Sequence, residues 1–446
     1  MTRAARSDRL PSSIGSRVVA LRRSAASVLD RPLTSLHLVV GVLAALTGLG
    51  LVMVLSASAV DSYTQTGNPY AVFERQVVYC AVGLVLSGAA MRVPARRLRA
   101  WSPWLVVVSL ALLVAVLVPG LGSSVAGAQK WFVVGGISLQ PSEPAKLALV
   151  LWGAHVLAVR RRSLHQWRVA LLPLVPVALL LAALVVVQPD LGSAICVIVV
   201  LFALLWFAGV PAGLLALLGA GTVASVLLLA TSASYRMTRL TSFLSPDAAD
   251  PLGPGYQARE ALFSLADGGV LGAGLGQGAA QWSYLPNASN DFIFAIVGEE
   301  LGFVGAATVL GLFALLAYTG LRIAARTTDP WTRNVVATLT AWLVAQAAIN
   351  VGYVLGLVPV TGITLPLISS GGSSVVVTML ALGIMAAAAR EEPEARAALA
   401  ARPNAGRPRK APPHLVTRRP AACSPTRARA PGRVGRARRP GRQELP

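Results

Sequence analysis

The sequence predicts an all-α polytopic membrane protein with about ten transmembrane helices and a large extracytoplasmic loop between spans seven and eight. Composition is the first ground. Of 446 residues, 55% are hydrophobic and 13% charged, and the mean hydropathy is +0.66, too apolar for a soluble enzyme of this length. The second is a series of apolar runs, each near the ~20 residues that cross a bilayer. They begin near Leu36, Val72, Trp101, Gln140, Val169, Leu191, Ala212, Phe292, Asn334 and Pro366. The third is the placing of arginine between the runs.

Short cytoplasmic loops retain Lys and Arg. The turn after the second run carries Arg92, Arg96, Arg97 and Arg99, the turn after the fourth Arg160, Arg161, Arg162 and Arg168, and the turn after the eighth Arg322, Arg326 and Arg333. These turns are expected inside, which with ten spans puts both termini in the cytoplasm and the segment Thr231–Asn290 outside. Three regions follow: a basic N-terminal segment, 1–35; a transmembrane domain, 36–390; and an Arg/Pro-rich tail, 391–446, expected to be disordered because it has little to bury.

The formal net charge of +21 raises a nucleic-acid reading. Most of the excess lies in the tails, with fifteen basic against four acidic residues from Arg390 onward and seven against two before Leu36. Attraction of these tails to anionic membrane lipids on the inner leaflet accounts for that distribution, and no nucleic-acid partner is expected. Cys80 and Cys196 fall in spans and Cys423 in the tail, so no disulfide framework is indicated. His37, His155, His165 and His414 map to spans, inner loops or the tail, which argues against a histidine-ligated zinc on the outer side. Ala57-Ser58-Ala59 has the look of a leader cleavage site, but the apolar run before it is too long for a leader core, and an uncleaved first span is expected.

The segment Trp282–Gly302, WSYLPNASNDFIFAIVGEELG, ends a polar loop in Asp291 at the start of an apolar run. A carboxylate at a membrane mouth is a functional candidate by default. Two readings stand, a general base and a helix N-cap. Glu299 and Glu300 follow on the same run. Glu299 is ~12 Å along a helix from Asp291 and Glu300 is turned away, so neither completes a glycosidase pair along that helix. They read as partnered structural or gating residues.

A second segment, Gly127–Lys146, places Lys130 and Trp131 in the outer loop before span four, with Glu143 and Lys146 three apart on its first turn. Here an interfacial loop with an internal ion pair stands beside a cationic lining of Lys130, Lys146, Arg75 and Arg259 for an anionic lipid-linked ligand. Asp190 in QPDLGS reads as a helix cap, or as a group that binds a cation or sugar hydroxyl. The run Gly268–Gly278 lacks the preceding strand and following Lys-Ser of a phosphate loop and reads as close packing or a lid. Ser369–Ser374, SSGGSS, either offers main-chain N–H groups to a phosphate or lets helices approach.

Taken in order, GAQKW with QPSEPAK, QPDLGS, GYQARE with GGVLGAGLGQG, SYLPNASNDFIFAIVGEELG, and NVGYVLGLVPVTGITLPLISSGGSS resemble the SEDS family of polytopic cell-wall proteins, the FtsW/RodA group. The likeness covers roughly Leu36 to Arg390. The forms MVLSASAVDSY and SYLPN are closer to the FtsW branch of high-GC Gram-positive bacteria than to the RodA branch. The family commonly has His two residues before the key Asp, where this chain has Ser289, and often a basic residue where it has Gln281. The resemblance implies a glycosyltransferase that polymerises lipid II on the outer face of the membrane during cell division, inverting the donor sugar and releasing undecaprenyl pyrophosphate. Asp291 is then the catalytic base. Arg75, Lys130, Trp131, Glu143, Lys146, Asp190, Gln257, Arg259, Glu300, Ser369, Gly371, Gly372 and Ser373 are the substrate-binding candidates. The resemblance implies no certain cofactor and at most a divalent cation, Mg or Mn, held by carboxylates. The implied partners are a class B penicillin-binding protein, other divisome membrane proteins and membrane lipids. A lipid II flippase and a non-catalytic scaffold for a transpeptidase are the rival functions.

Overall fold

Each of the ten apolar runs forms a helix in the computed structural model, which describes residues 31–125, 128–163, 166, 168, 171–231, 241, 243, 254–279 and 288–401. In chain order the helices are α1 (Thr34–Thr66), α2 (Ala71–Ala90), α3 (Ala95–Ala115), α4 (Ser142–Val159), α5 (Leu174–Val187), α6 (Leu191–Ala208), α7 (Ala212–Thr231), α8 (Pro254–Asp267), α9 (Ile293–Arg326), α10 (Pro330–Val354), α11 (Gly372–Arg390) and α12 (Pro393–Ala401). Seven are long and apolar enough to cross a membrane, and Leu174–Val187 and Ala212–Val226 are shorter apolar helices. The remaining run, the fourth, is α4, of 18 residues, which carries Glu143 and Lys146 in its first turn. The protein is a multi-pass helical membrane protein.

Local chemistry accounts for several of the helix ends. Asp329 caps α10 by accepting from Thr332 N at 2.9 Å, with Pro330 at the first helical position, where its missing N–H costs nothing. Asp190 caps α6 by accepting from Ser193 N at 3.2 Å, and Gly209 ends that helix in the left-handed conformation. In the core α10 and α11 are the most enclosed spans. α10 packs on α6, α4 and α9, and α11 lies against α2 and α1.

The segment between α3 and α4, expected to be plain loop, contains a three-stranded antiparallel sheet. It consists of β1 (Ser123–Val125), β2 (Ala128–Val134) and β3 (Ile137–Leu139), with Ser123 opposite Trp131 and Val134 opposite Ile137. Gly135 and Gly136 turn β2 into β3 with φ of 58° and 80°, the backbone that a two-residue hairpin with right-handed strand twist requires. The alternating pattern is short and lies among apolar spans, so the sequence reading passed over it. The tail differs from expectation too. Its first residues form α12, tied to the end of α9 by Arg326, 2.9 Å from Glu394 and 3.9 Å from the buried Glu392. Burial pushes the Glu392 carboxyl up, against the pull of the Arg326 and Arg322 guanidinium groups. An acid raised in the folded state favours folding most at low pH and loses that contribution as pH rises through its folded value. Glu392→Gln is therefore expected to flatten the acid side of the stability–pH curve, read by thermal unfolding between pH 4 and 7.

α9 is two helices joined at Gly302, where φ is 66° and ψ is −165°. The main-chain groups freed by this break are taken up by the glycine-rich segment. Phe303 N and Val304 N donate to the carbonyls of Gly269 and Val270, while Ala273 N and Gly274 N donate to those of Glu299 and Glu300, all at 2.9–3.2 Å. Non-helical backbone at a membrane rim persists where its polar groups are satisfied in this way. A Cβ at Gly302 would run into Gly272 N and Val270 O. The conformation is one that only glycine adopts readily, costing other residues about 1–3 kcal/mol. Gly302→Ala is thus expected to lower the thermal unfolding temperature of the purified chain clearly. Gly311→Ala, whose added carbon meets nothing within 4 Å, should leave it unchanged or raise it.

Glu300 receives the Ser56 hydroxyl at 2.6 and 2.7 Å. Ser56 is ~33 Å by helix rise from the start of α1. The Asp291 carbonyl meets Asn350 of α10 at 2.8 Å. Asn350 is ~30 Å from the start of α10. Both starts lie at the arginine-rich end, so Asp291 and Glu300 each meet a span near its opposite end. In the buried first part of α9 both glutamates are partnered, Glu300 by the Ser56 hydroxyl and Glu299 by Ala279 N.

Candidate active site

Asp291 stands one residue before the N-cap position of α9, which is Phe292 and makes no side-chain cap. It is half-buried, at the start of a turn whose following residues, Phe292 through Glu300, are all buried. Its place is set through the main chain. Asn350 Nδ2 lies 2.8 Å from the Asp291 carbonyl oxygen and 2.7 Å from the Ile363 carbonyl oxygen, and Tyr353 Oη lies 2.8 and 2.6 Å from the same two oxygens. The Phe292 ring packs edge-on against Tyr353, 5.6 Å between centroids. On the other side Ser370 N donates to Ser289 O at 2.9 Å, and the Ser370 hydroxyl donates to Asn290 Oδ1 and Ser289 Oγ. These bonds lay the loop 361–371 along the Asp291 turn. A carbon on Gly362 would be 3.5 Å from Asp291 Oδ2, so the carboxylate runs beside bare main chain.

The same loop leads to a second polar cluster. Thr364 O accepts from Gln346 Nε2 at 3.0 Å, and Gln346 Oε1 accepts from Trp342 Nε1 at 2.9 Å and faces Lys146 Nζ at 3.5 Å. Lys146, 1% exposed, pairs with Glu143 at 2.9 Å and lies 5.1 Å from the Trp342 ring centroid. Glu143 Oε2 is buried with no hydrogen-bond partner among the described residues. Ser373 Oγ accepts from Gln140 N at 3.1 Å, and Gln140 Nε2 donates to Asp190 Oδ2 at 2.6 Å. Lys130, 24% exposed, reaches Asp190 at 3.8 Å. A polar path therefore joins Lys130 and Asp190 to the Asp291 turn through Gln140, Ser373 and the loop.

Lys146 does not take part in the expected cationic lining. Lys146 is enclosed and paired inside the bundle, because its short path to Glu143 neutralises both charges away from water. Arg75 is exposed on α2 and donates to its own helix at Ala71 O, and Arg259 is exposed on α8 beside the half-buried Gln257. Lys130 is the member joined to the path, with Trp131 half-buried next to it in β2. Asp190 is both cap and network member. Glu300 and Glu299 hold the glycine segment: Ala279 N donates to Glu299 Oε1 at 2.6 Å, and Gly276 N to Ser56 Oγ at 3.0 Å. Ser369 Oγ accepts from Leu365 N and Ser373 Oγ from Gln140 N, while Gly372 abuts the Tyr79 ring, so these residues pack and tie the loop down. Gln281 and the stretch 284–287 lie outside the described residues. Asn350, Tyr353, Gln346, Gln140 and Gly362 are not among the residues that the sequence marks, and Ser370 falls within the SSGGSS run. The signal for the amides was present, since polar side chains in an apolar span are functional candidates.

Among the described residues no three His, Cys, Asp or Glu side chains converge as metal ligands. A magnesium-like ion would need oxygens from substrate phosphates beside a single carboxylate.

The family model for cell cycle proteins of the FtsW, RodA and SpoVE type matches residues 36–394. The chain is 51% identical over 373 residues to the probable peptidoglycan glycosyltransferase FtsW of Mycobacterium tuberculosis, covering 84% of this chain and 71% of the relative. It is similar to a chain solved in a peptidoglycan synthase complex that coordinates polymerization and crosslinking, with a TM-score of 0.66, 32% identity, and coverage of 80% of this chain and 97% of that one. The crystal structure of the rod shape determining protein RodA of Thermus thermophilus matches with a TM-score of 0.59 at 30% identity, over 80% and 96% of the two chains. With a family model matching residues 36–394 and a relative identical at half of the 373 aligned positions, the chain belongs to the FtsW/RodA/SpoVE family of cell cycle proteins.

Proposed function

We propose that this chain is a peptidoglycan glycosyltransferase that polymerises lipid II at the outer face of the cytoplasmic membrane, with Asp291 as general base. The observation that carries the reading is the half-buried Asp291 carboxylate, held beside Gly362 at the end of the bundle opposite the arginine-rich turns. A lipid-borne sugar emerges from the membrane at that level. Asp291 takes the proton of the acceptor sugar's 4-hydroxyl, whose oxygen attacks the anomeric carbon of the donor from the face opposite its leaving group. The anomeric carbon–oxygen bond to pyrophosphate breaks, the configuration inverts, and undecaprenyl pyrophosphate departs with the bonding pair. Positive charge near the departing phosphates lowers the barrier, and Lys130, partly exposed and held by Asp190, supplies it. The polyprenyl tails of donor and product stay in the bilayer against apolar span faces.

Retention of arginine in the inner turns puts both termini in the cytoplasm. The division septum is the place of action, in keeping with the FtsW name of the mycobacterial relative. A penicillin-binding transpeptidase is the partner, supported by the solved relative's membership of a complex that couples polymerization to crosslinking. The test is polymerisation of fluorescently labelled lipid II in detergent by the purified chain with its cognate transpeptidase. Glycan ladders from the wild type, absent with Asp291→Asn, are the expected result. A silent wild type would return the translocation and scaffold readings.

A further inference from the structure

The Asp291 turn and the loop 361–371 are both irregular backbone, and neither is positioned by helix or sheet bonds of its own. Two side chains on α10 join them. Asn350 and Tyr353 are three apart on one helix face and both 0% exposed. Their hydrogen-bonding capacity matches the task. Asn350 Nδ2, with two protons, lies 2.6 Å from Tyr353 Oη and within 2.8 Å of the Asp291 and Ile363 carbonyls. Tyr353 Oη, with one proton, is within 2.8 Å of the same carbonyls. Asn350 can therefore give one proton to a carbonyl and one to the tyrosine oxygen, and the tyrosine can give its own to the other carbonyl. Both carbonyls are satisfied only while the two segments lie side by side. Asn350 Oδ1 is left buried without a hydrogen-bond partner among the described residues, so the amide is oriented wholly towards this donation.

From this geometry we infer that Asn350 and Tyr353 are positioning residues for Asp291, setting its carboxylate against Gly362 by locking the Asp291 and Ile363 carbonyls together. The inference rests on Asp291 acting as the base. Neither side chain is placed to touch the sugar, since both are spent on main-chain oxygens behind the turn. Their loss therefore changes where the carboxylate stands and leaves the rest of the ligand surface in place. Misplacing a reacting group by about 1 Å can cost up to about 100-fold in rate.

The test uses full-length chain with its transpeptidase and labelled lipid II, and compares Tyr353→Phe, Asn350→Ala and the double variant. Tyr353→Phe keeps the ring that packs on Phe292 and removes only the hydroxyl. It is expected to lower kcat roughly 10-fold to 100-fold with KM changed less than about two-fold, in protein whose thermal unfolding stays close to wild type. The double variant should be no slower than the slower single, because the two residues act as a unit. Trp331→Phe, which removes a bond from Nε1 to Leu151 O at the far end of α10, is the control for destabilisation alone and should leave kcat per folded molecule unchanged. Full kcat in folded Tyr353→Phe, or a loss that only follows the folded fraction, would overturn the positioning role. If Asp291→Asn is inactive while Tyr353→Phe is fully active, this inference alone fails. An active Asp291→Asn would instead remove the base reading on which it rests.

Discussion

Asparagine at position 291 is expected to slow glycan polymerisation roughly 10²–10⁴-fold, the usual contribution of a positioned base, without unfolding the bundle. The structure separates the two effects. Asn350 and Tyr353 bond to the main-chain oxygen of residue 291, so exchanging a carboxylate oxygen for an amide nitrogen leaves those bonds intact. Phe292 and the residues after it remain buried as before. What disappears is the group that can accept a proton at neutral pH. Asp291→Glu retains that group but lengthens it by one methylene next to Gly362, so an intermediate loss is expected. The check is the initial rate of ladder formation, with thermal unfolding run on the same samples. An unchanged rate in Asp291→Asn would reduce the residue to a structural part of the turn.

The second large effect is expected at Lys146. Lys146→Met removes the cation from a buried pair and leaves the Glu143 carboxylate enclosed, with Oε2 already lacking a partner among the described residues. Breaking such a pair from one side costs about 3–5 kcal/mol, whereas replacing both members by groups of similar volume is often neutral or stabilising. A sharp fall in unfolding temperature is expected for Lys146→Met, with recovery in Lys146→Met/Glu143→Gln. Methionine also fills the space near the Trp342 ring while losing the cation's attraction to it. Thermal unfolding in detergent measures the stability cycle, and polymerisation assays on the double variant measure the rest. A stable but inactive double variant would mean that the pair serves the reaction through Gln346 and Thr364, to which it is joined. A stable and active one would make it a packing device.

Spans and the arginine-rich turns were legible in the sequence because long apolar runs leave the backbone few alternatives in a bilayer. Every one of the ten runs is a helix, and the start of α9 lies within one residue of its expected position at Phe292. Asp291 was legible for a related reason. A carboxylate at the head of an apolar run conflicts with its surroundings, and such a conflict marks a candidate site. Glu143 with Lys146 was legible from their spacing on one helix turn, and the pair forms as expected.

The support around Asp291 was not legible. Asn350 and Tyr353 follow Asp291 by some sixty residues, and Ser370 by about eighty, so no local spacing announces their contact. The break at Gly302 was hidden as well, since a glycine inside an apolar helix is usually tolerated as helix. Only the docking of Gly269–Gly274 against it gives the freed N–H and C=O groups other partners. Glu300, beside that break, meets Ser56 of α1. The separation of Lys146 from Arg75 was undecidable in the sequence for the same reason: charge type is written in the chain, but whether a charge faces a neighbour or water depends on how helices pack. Sequence by itself determined the membrane-spanning helices, the arginine-rich end and Asp291 as a candidate carboxylate at the head of an apolar run, because those follow from local hydropathy. Tertiary structure alone decided what holds that carboxylate, because hydrogen bonds to irregular backbone come from residues far apart in the chain.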